Sequence, residues 1–119
     1  MYDIPNDFNE LLSGCRGEIN LVGFGPYDIQ IHCGNYTIQT YAHLKYVTKE
    51  KTFTGNAEEQ QSREVLLKCI GQDIKDIQKI NENSFVVSIS NGDKITFIAD
   101  KPEFECIMVR MPDNMDIII

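Results

Sequence analysis

His32, His43 and Lys45 are the side chains in this sequence best suited to acid–base chemistry, two imidazoles and an amine close together in the chain. Ribonuclease-type proton transfer uses groups of this kind. His32 and His43 fall on what read as neighbouring strands, so a small ligand-binding or hydrolytic domain built on that pair is one reading. Covalent catalysis needs a nucleophile held by a base that a third group orients. The thiols to test are Cys15, Cys33, Cys69 and Cys106. Cys69 lies on an apolar helix stripe and Cys106 among strand apolars, settings in which a thiol is inert core. His32 and Cys33 are adjacent, and adjacent strand residues point to opposite faces, so they do not share an ion. No metal site, no cofactor and no enzymatic activity are expected.

Other motifs point the same way. Gly23-Phe24-Gly25-Pro26 has the first two glycines of a dinucleotide fingerprint but leads into a strand, so it reads as a hairpin turn. Carboxylates pair at Glu58-Glu59, Asp73/Asp76, Glu103/Glu105 and Asp113/Asp116. A glycosidase sets its pair in an aromatic-lined cleft, and this chain has no Trp. The acids are better read as surface. Residues 100–119 carry Asp100, Glu103, Glu105, Asp113 and Asp116 against Lys101 and Arg110, and Tyr2, Tyr27, Tyr36, Tyr41 and Tyr46 add amphipathic rings. Acids interleaved with exposed tyrosines make a docking surface for a basic protein. The residues chosen are Glu103, Glu105, Asp113 and Asp116, with Tyr36 or Tyr41 as anchor; alternation puts those two rings on opposite faces.

Charge supports a protein partner. Eighteen acidic and 11 basic side chains leave a net charge of -7, which repels nucleic acid and anionic membranes and steers a basic partner inward. With 119 residues and 42% hydrophobic composition, one domain spanning 1–119 buries enough surface to fold without disulfide or metal. The N-terminal MYDIPNDFNELLSG has neither basic nor apolar signal regions, and no apolar run reaches membrane-span length. The expectation is a cytoplasmic protein with free thiols.

The elements that must position these residues follow from periodicity. Residues 5–14 read as a short helix, with Pro5 at its start, Asn6 or Asp7 as cap, and Phe8, Leu11 and Leu12 on one face. Gly14 is expected to end it in the left-handed conformation. Residues 17–48 read as β, with turns at Gly25-Pro26 and Gly34-Asn35. Ile29 and Ile31 alternate with Gln30 and His32, and Tyr36, Ile38, Thr40 and Ala42 oppose Thr37, Gln39 and Tyr41. Residues 49–55 read as a polar loop. The principal helix is expected at 57–70, with Asn56 capping, Glu59 returning the bond, and Gly71 ending it. A bulged strand follows, since Ile74, Ile77 and Ile80 fit neither period. Then comes a hairpin around Asn91-Gly92 and a last strand through Phe104, Cys106, Met108 and Arg110. Gly17…Gly34 and Gly71…Gly92 frame two similar β segments, a weak internal duplication. The fold class is therefore α+β, mainly antiparallel β, a sandwich or half-barrel of two meanders with one principal helix and a short N-terminal one.

The stretch Leu66-Leu67…Ile70-Gly71…Ile77…Phe85-Val86-Val87…Ser90-Asn91-Gly92-Asp93…Ile95…Ile98…Phe104-Glu105 resembles small β-rich bacterial immunity proteins of contact-dependent growth inhibition and related polymorphic toxin systems. The resemblance covers about residues 64–106. It implies a chain that binds and neutralises a cognate toxin domain, often a nuclease. It supplies no catalytic motif, and no toxin-binding residue carries over by position. A homo-oligomer joined through edge strands, with Ile117-Ile118-Ile119 as the adhesive, is a third reading.

Overall fold

Alternation of apolar residues dictates most of this structure, a computed structural model that describes residues 2–100 and 106–119. Ten strands form: β1 (Gly17–Phe24), β2 (Ile29–Cys33), β3 (Tyr36–Thr40), β4 (His43–Val47), β5 (Thr52–Asn56), β6 (Asp73–Asn81), β7 (Ser84–Ile89), β8 (Lys94–Ile98), β9 (Ile107–Met111) and β10 (Met115–Ile118). Two short helices, α1 (Phe8–Leu11) and α2 (Gln60–Leu66), precede β1 and β6; a single 3₁₀ turn over Leu67–Cys69 extends α2. The fold is α+β and mainly antiparallel β.

All ten strands join one sheet in the order β10-β9-β3-β2-β1-β6-β7-β8-β4-β5. Ten strands laid flat at the usual spacing would span about 43 Å. The longest extent of the molecule is 31 Å, so the sheet curls on itself and encloses its apolar face. It bends most at its centre. There β1 and β6 share only the pairs Gly17–Ile74 and Glu18–Asp73 before diverging. Five strands lie on each side of this joint, forming a first half-sheet (β10 to β1) and a second (β6 to β5).

The strand order has an internal two-fold relation. Exchanging each strand for the one five places along (β1 for β6, through β5 for β10) reproduces the same order read from the other edge. Each repeat is thus a helix, a three-stranded meander and a hairpin, and each hairpin is donated across. β4-β5 pairs with β8, and β9-β10 pairs with β3. The expected two meanders are present, each completed by the other repeat's hairpin. Only Tyr41 and Ala42 separate β3 from β4, so the chain turns a corner from one half-sheet to the other there. Ala42 and its counterpart Ala99 are both fully buried.

The helices fill the wedge where β1 and β6 part. Phe8 of α1 packs its ring against Phe85, 4.9 Å between centroids, and Phe85 stacks on Phe97 at 5.1 Å. α2 packs against β5, and the 3₁₀ turn that follows it packs against β1. Arg63 donates to Gly25 O at 2.6 Å, and the amide of Gly71 donates to Ile19 O at 2.9 Å. The segments Leu12-x-x-Cys15-x-Gly17 and Leu66-x-x-Cys69-x-Gly71 occupy equivalent places. Their Leu and Cys are buried, and their glycines have φ of 107° and 85°.

Several local expectations are corrected. Gly14 does not adopt positive φ; the left-handed residue is Gly17. Gly14 is needed for space instead, because a Cβ there would lie 2.6 Å from the Tyr36 hydroxyl. Gly25 likewise makes no left-handed turn; it leaves room for the Asp28 carboxylate. Neither Asn6 nor Asp7 caps α1: Asp7 makes no cap bond, and Asn6 Oδ1 accepts from Lys79 Nζ. The principal helix starts at Gln60 rather than 57. The residue at its N-cap is Glu59 rather than Asn56, with no side-chain cap bond; of the expected reciprocal pair only the return bond is made, Asn56 N donating to Glu59 Oε1, while Asn56 Oδ1 accepts from Glu58 N. The expected polar loop at 49–55 contains β5, which pairs with β4 along five residues. The bulged strand is β6, whose register against β7 slips twice.

Candidate functional site

The outward face of the first half-sheet carries a hydrogen-bonded polar surface. Ile31, Ile38, Val109 and Ile117 point into the core, so their strand neighbours point out. Register then aligns two rungs across five strands. One runs Leu21–His32–Thr37–Arg110–Asp116, and the next Gly23–Gln30–Gln39–Met108–Ile118.

Hydrogen bonds tie these rungs together. Asp28, only 8% exposed, sits at the β1–β2 turn. It accepts from Gln39 Nε2 at 2.7 Å and Gln30 Nε2 at 3.4 Å. This fixes the orientation of the Gln30 amide, whose oxygen faces His32 Nε2 at 3.2 Å. The other ring nitrogen, Nδ1, lies 3.2 Å from Thr37 Oγ1. Gln39 also donates to the Tyr41 hydroxyl at 3.0 Å. At the far end Arg110 pairs with Asp116 at 3.5 Å. The face between them is a shallow depression of about 90 Å³ lined by Gln30, His32, Thr37, Gln39, Met108 and Arg110. Small-molecule sites measure about 300–1,000 Å³; this one is well below that range. The arrangement suits a broad contact with another macromolecule.

The expected site residues are distributed as follows. Tyr41 lies at the edge of the polar network, 38% exposed. Asp116 ends the first rung, with its charge partly offset by Arg110. Asp113 sits in the β9–β10 turn with φ of 66°, followed by Asn114 at 60°; short polar side chains tolerate that region. Asp113 is exposed and not tied into the network. Tyr36 faces inward, packed on the core and over Gly14. Glu103 and Glu105 lie outside the described residues. Gln30, Thr37, Gln39, Asp28, Met108 and Arg110 were not among the expected contacts. The period-two pattern of polar residues at 30, 32, 37 and 39 was their one signal.

The histidines are not brought together. His32 is on β2 and His43 on β4, with β1, β6, β7 and β8 between them in sheet order. Each has its own partners. His43 Nδ1 bonds the Asp100 carboxylate and is 41% exposed. Among the described residues no three His, Cys, Asp or Glu side chains cluster to hold a metal, and no helix is long and apolar enough to cross a membrane.

All four thiols are free and buried. Burial, reinforced by Cys33 alongside, pushes the Cys15 thiol up to about 12. Burial also pushes Cys69 up to about 12 and raises Cys33. Tyr46 is raised by burial and by its 2.6 Å hydrogen bond to Asp93. These groups stay protonated at neutral pH and are built as core. Compared with protein-family models, curated proteins and solved structures, the chain matches none.

Proposed function

We propose that this chain is an immunity protein, a cytoplasmic binding module that holds and neutralises the effector domain of a cognate toxin. The observation that carries the reading is the outward face of the first half-sheet. It is a rigid, hydrogen-bonded polar surface across five strands, too shallow for a small ligand, with Tyr41 at one side and Asp116 at the other. Strand-mounted side chains held by neighbours lose little freedom on binding, which favours affinity.

Charge adds direction. The five strands of this half-sheet carry Glu18 and Asp116 against Arg110 alone, whereas the strands of the second half-sheet carry Lys45, Lys75, Lys79 and Lys94 against Asp73 and Asp76. On a chain of net charge -7, this is the face a basic domain approaches with least repulsion. A nuclease, basic around its nucleic-acid channel, is the favoured effector. Tyr41 supplies an aromatic anchor, and Gln39, Thr37 and His32 supply directional contacts.

The test is co-expression with the toxin domain encoded beside this chain's gene. A one-to-one complex in size-exclusion chromatography, with toxin activity suppressed, is expected. Tyr41→Ala and Gln39→Ala should each weaken it about tenfold or more. Separate elution with toxicity intact overturns the reading. The alternative, a ligand-binding or hydrolytic domain using His32 and His43, is checked by replacing both with Ala: loss of a measurable activity in a chain that still folds would favour it.

A further inference from the structure

We infer that the β5 edge of the sheet is a self-recognition surface, through which two copies of this chain pair antiparallel about Phe53. The β4–β5 ladder leaves one side of β5 unpaired. Backbone bonds link Ala57 N to Ala42 O and Thr48 N to Lys51 O, at the two ends of the pairing. Hydrogen-bonded and non-bonded pairs alternate along an antiparallel ladder. With both ends bonded, Gly55–Leu44 and Phe53–Tyr46 are bonded pairs, and Thr52, Thr54 and Asn56 are not bonded to β4. The amides and carbonyls of those three residues therefore point away from the sheet.

Asn56 is already engaged, since its amide donates to Glu59 Oε1 and its carbonyl accepts from Glu59 N. Thr52 and Thr54 are left with two amides and two carbonyls that meet no partner among the described residues. Proteins block such edges with proline, charge or a bulge. Thr52-Phe53-Thr54-Gly55-Asn56 has none of these, and its register is regular.

This edge is complementary to itself. A dyad at Phe53 sets Thr52 of one copy opposite Thr54 of the other, twice over, and uses all four open groups. A dyad at Thr54 would need Asn56, which is occupied. The same pairing brings the exposed Lys49 and Lys51, with Glu50 between them, at one end of the edge toward the exposed Glu58 and Glu59 at the other end in the second copy. The contact is small, so the dimer is weak and concentration-dependent. β5 lies at the opposite edge of the sheet from β10, so pairing leaves the polar face of the first half-sheet open.

The test is sedimentation velocity on the full chain from about 10 µM to about 500 µM, a range that brackets weak association. Dimer should grow with concentration. Thr54→Pro removes one edge amide without touching the ladder to β4, since proline is tolerated where the amide faces solvent; self-association should weaken about tenfold or more. The second test does not depend on proline folding. A chain with Lys49→Glu and Lys51→Glu, and another with Glu58→Lys, should each self-associate less than the parent. Mixed together they should form a heterodimer. A monomer across the whole range overturns the proposal. So does a dimer undiminished by Thr54→Pro in a folded chain, or a mixture that pairs no better than either variant alone.

Discussion

Ser62 sits at zero exposure, and its Oγ has no hydrogen-bond partner among the described residues. Burying an unpaired hydroxyl costs about 1–3 kcal/mol, so Ser62→Ala should leave the chain as stable as the parent or more so, by up to about 1 kcal/mol. A lower urea midpoint would show that the hydroxyl has a partner after all. The thiols make a second prediction at this scale. Cys15 and Cys69 are buried and stay protonated up to about pH 12, and the thiolate is the reactive form. In the native chain they should resist a thiol reagent at pH 7–8 and react on unfolding. Prompt native labelling would contradict the packing. Such roles are only partly legible in sequence. The inert use of Cys69 followed from the helix stripe. The crowding of Gly14 by Tyr36 depends on where a distant strand passes, which no local pattern encodes.

The contact between β5 and α2 rests on Gly55. A Cβ there would lie 2.7 Å from Ser62 Oγ and 2.9 Å from Phe53 Cζ. Gly55→Ala should therefore cost about 1–3 kcal/mol, and adding Ser62→Ala should recover part of it, a coupling measurable as a double-mutant cycle. Simple additivity would mean the two do not touch. On the other side of α2, Arg63 donates to the carbonyls of Gly25 and Ala57, with its guanidinium 5.5 Å from the Phe24 ring centroid. Arg63→Ala should destabilise by about 1–3 kcal/mol and speed hydrogen exchange in β1. Most elements could be read in advance, because β2, β3, β7 and β8 alternate cleanly; the start of α2 could not, since the helix begins at Gln60, four residues past the expected cap Asn56. β5 was hidden. Its five residues contain one large apolar side chain and a glycine, with three charges just before them, and its pairing with β4 outweighs that composition.

The whole molecule should lose stability in base. The thiols of Cys15 and Cys69 have an ordinary value of 9.0 and are held at about 12 in the fold; Cys33 and Tyr46 are raised as well. Below pH 9 both folded and unfolded chains keep the thiol protons. Between 9 and 12 the unfolded chain releases protons that the folded chain retains, so stability falls as pH rises through that window. Urea midpoints should be level from pH 7 to about 8.5 and drop steadily above 9; a flat profile to pH 11 would refute the burial of these groups. The doubled plan of the chain was legible at Gly17, Gly34, Gly71 and Gly92. The exchange of hairpins was not, because it pairs β3 with β9 and β4 with β8 across long stretches of chain, and periodicity carries no information about which strand lies alongside which. That exchange governs the order in which the protein can be made. A ribosome delivers β3 long before β9 and β10, so the first half-sheet stays unfinished, with β3 as an open edge, until residues 107–118 emerge. Folding built on such distant pairings is slow, and a nascent chain halted anywhere before β9 is a candidate for chaperone capture rather than a partly working protein.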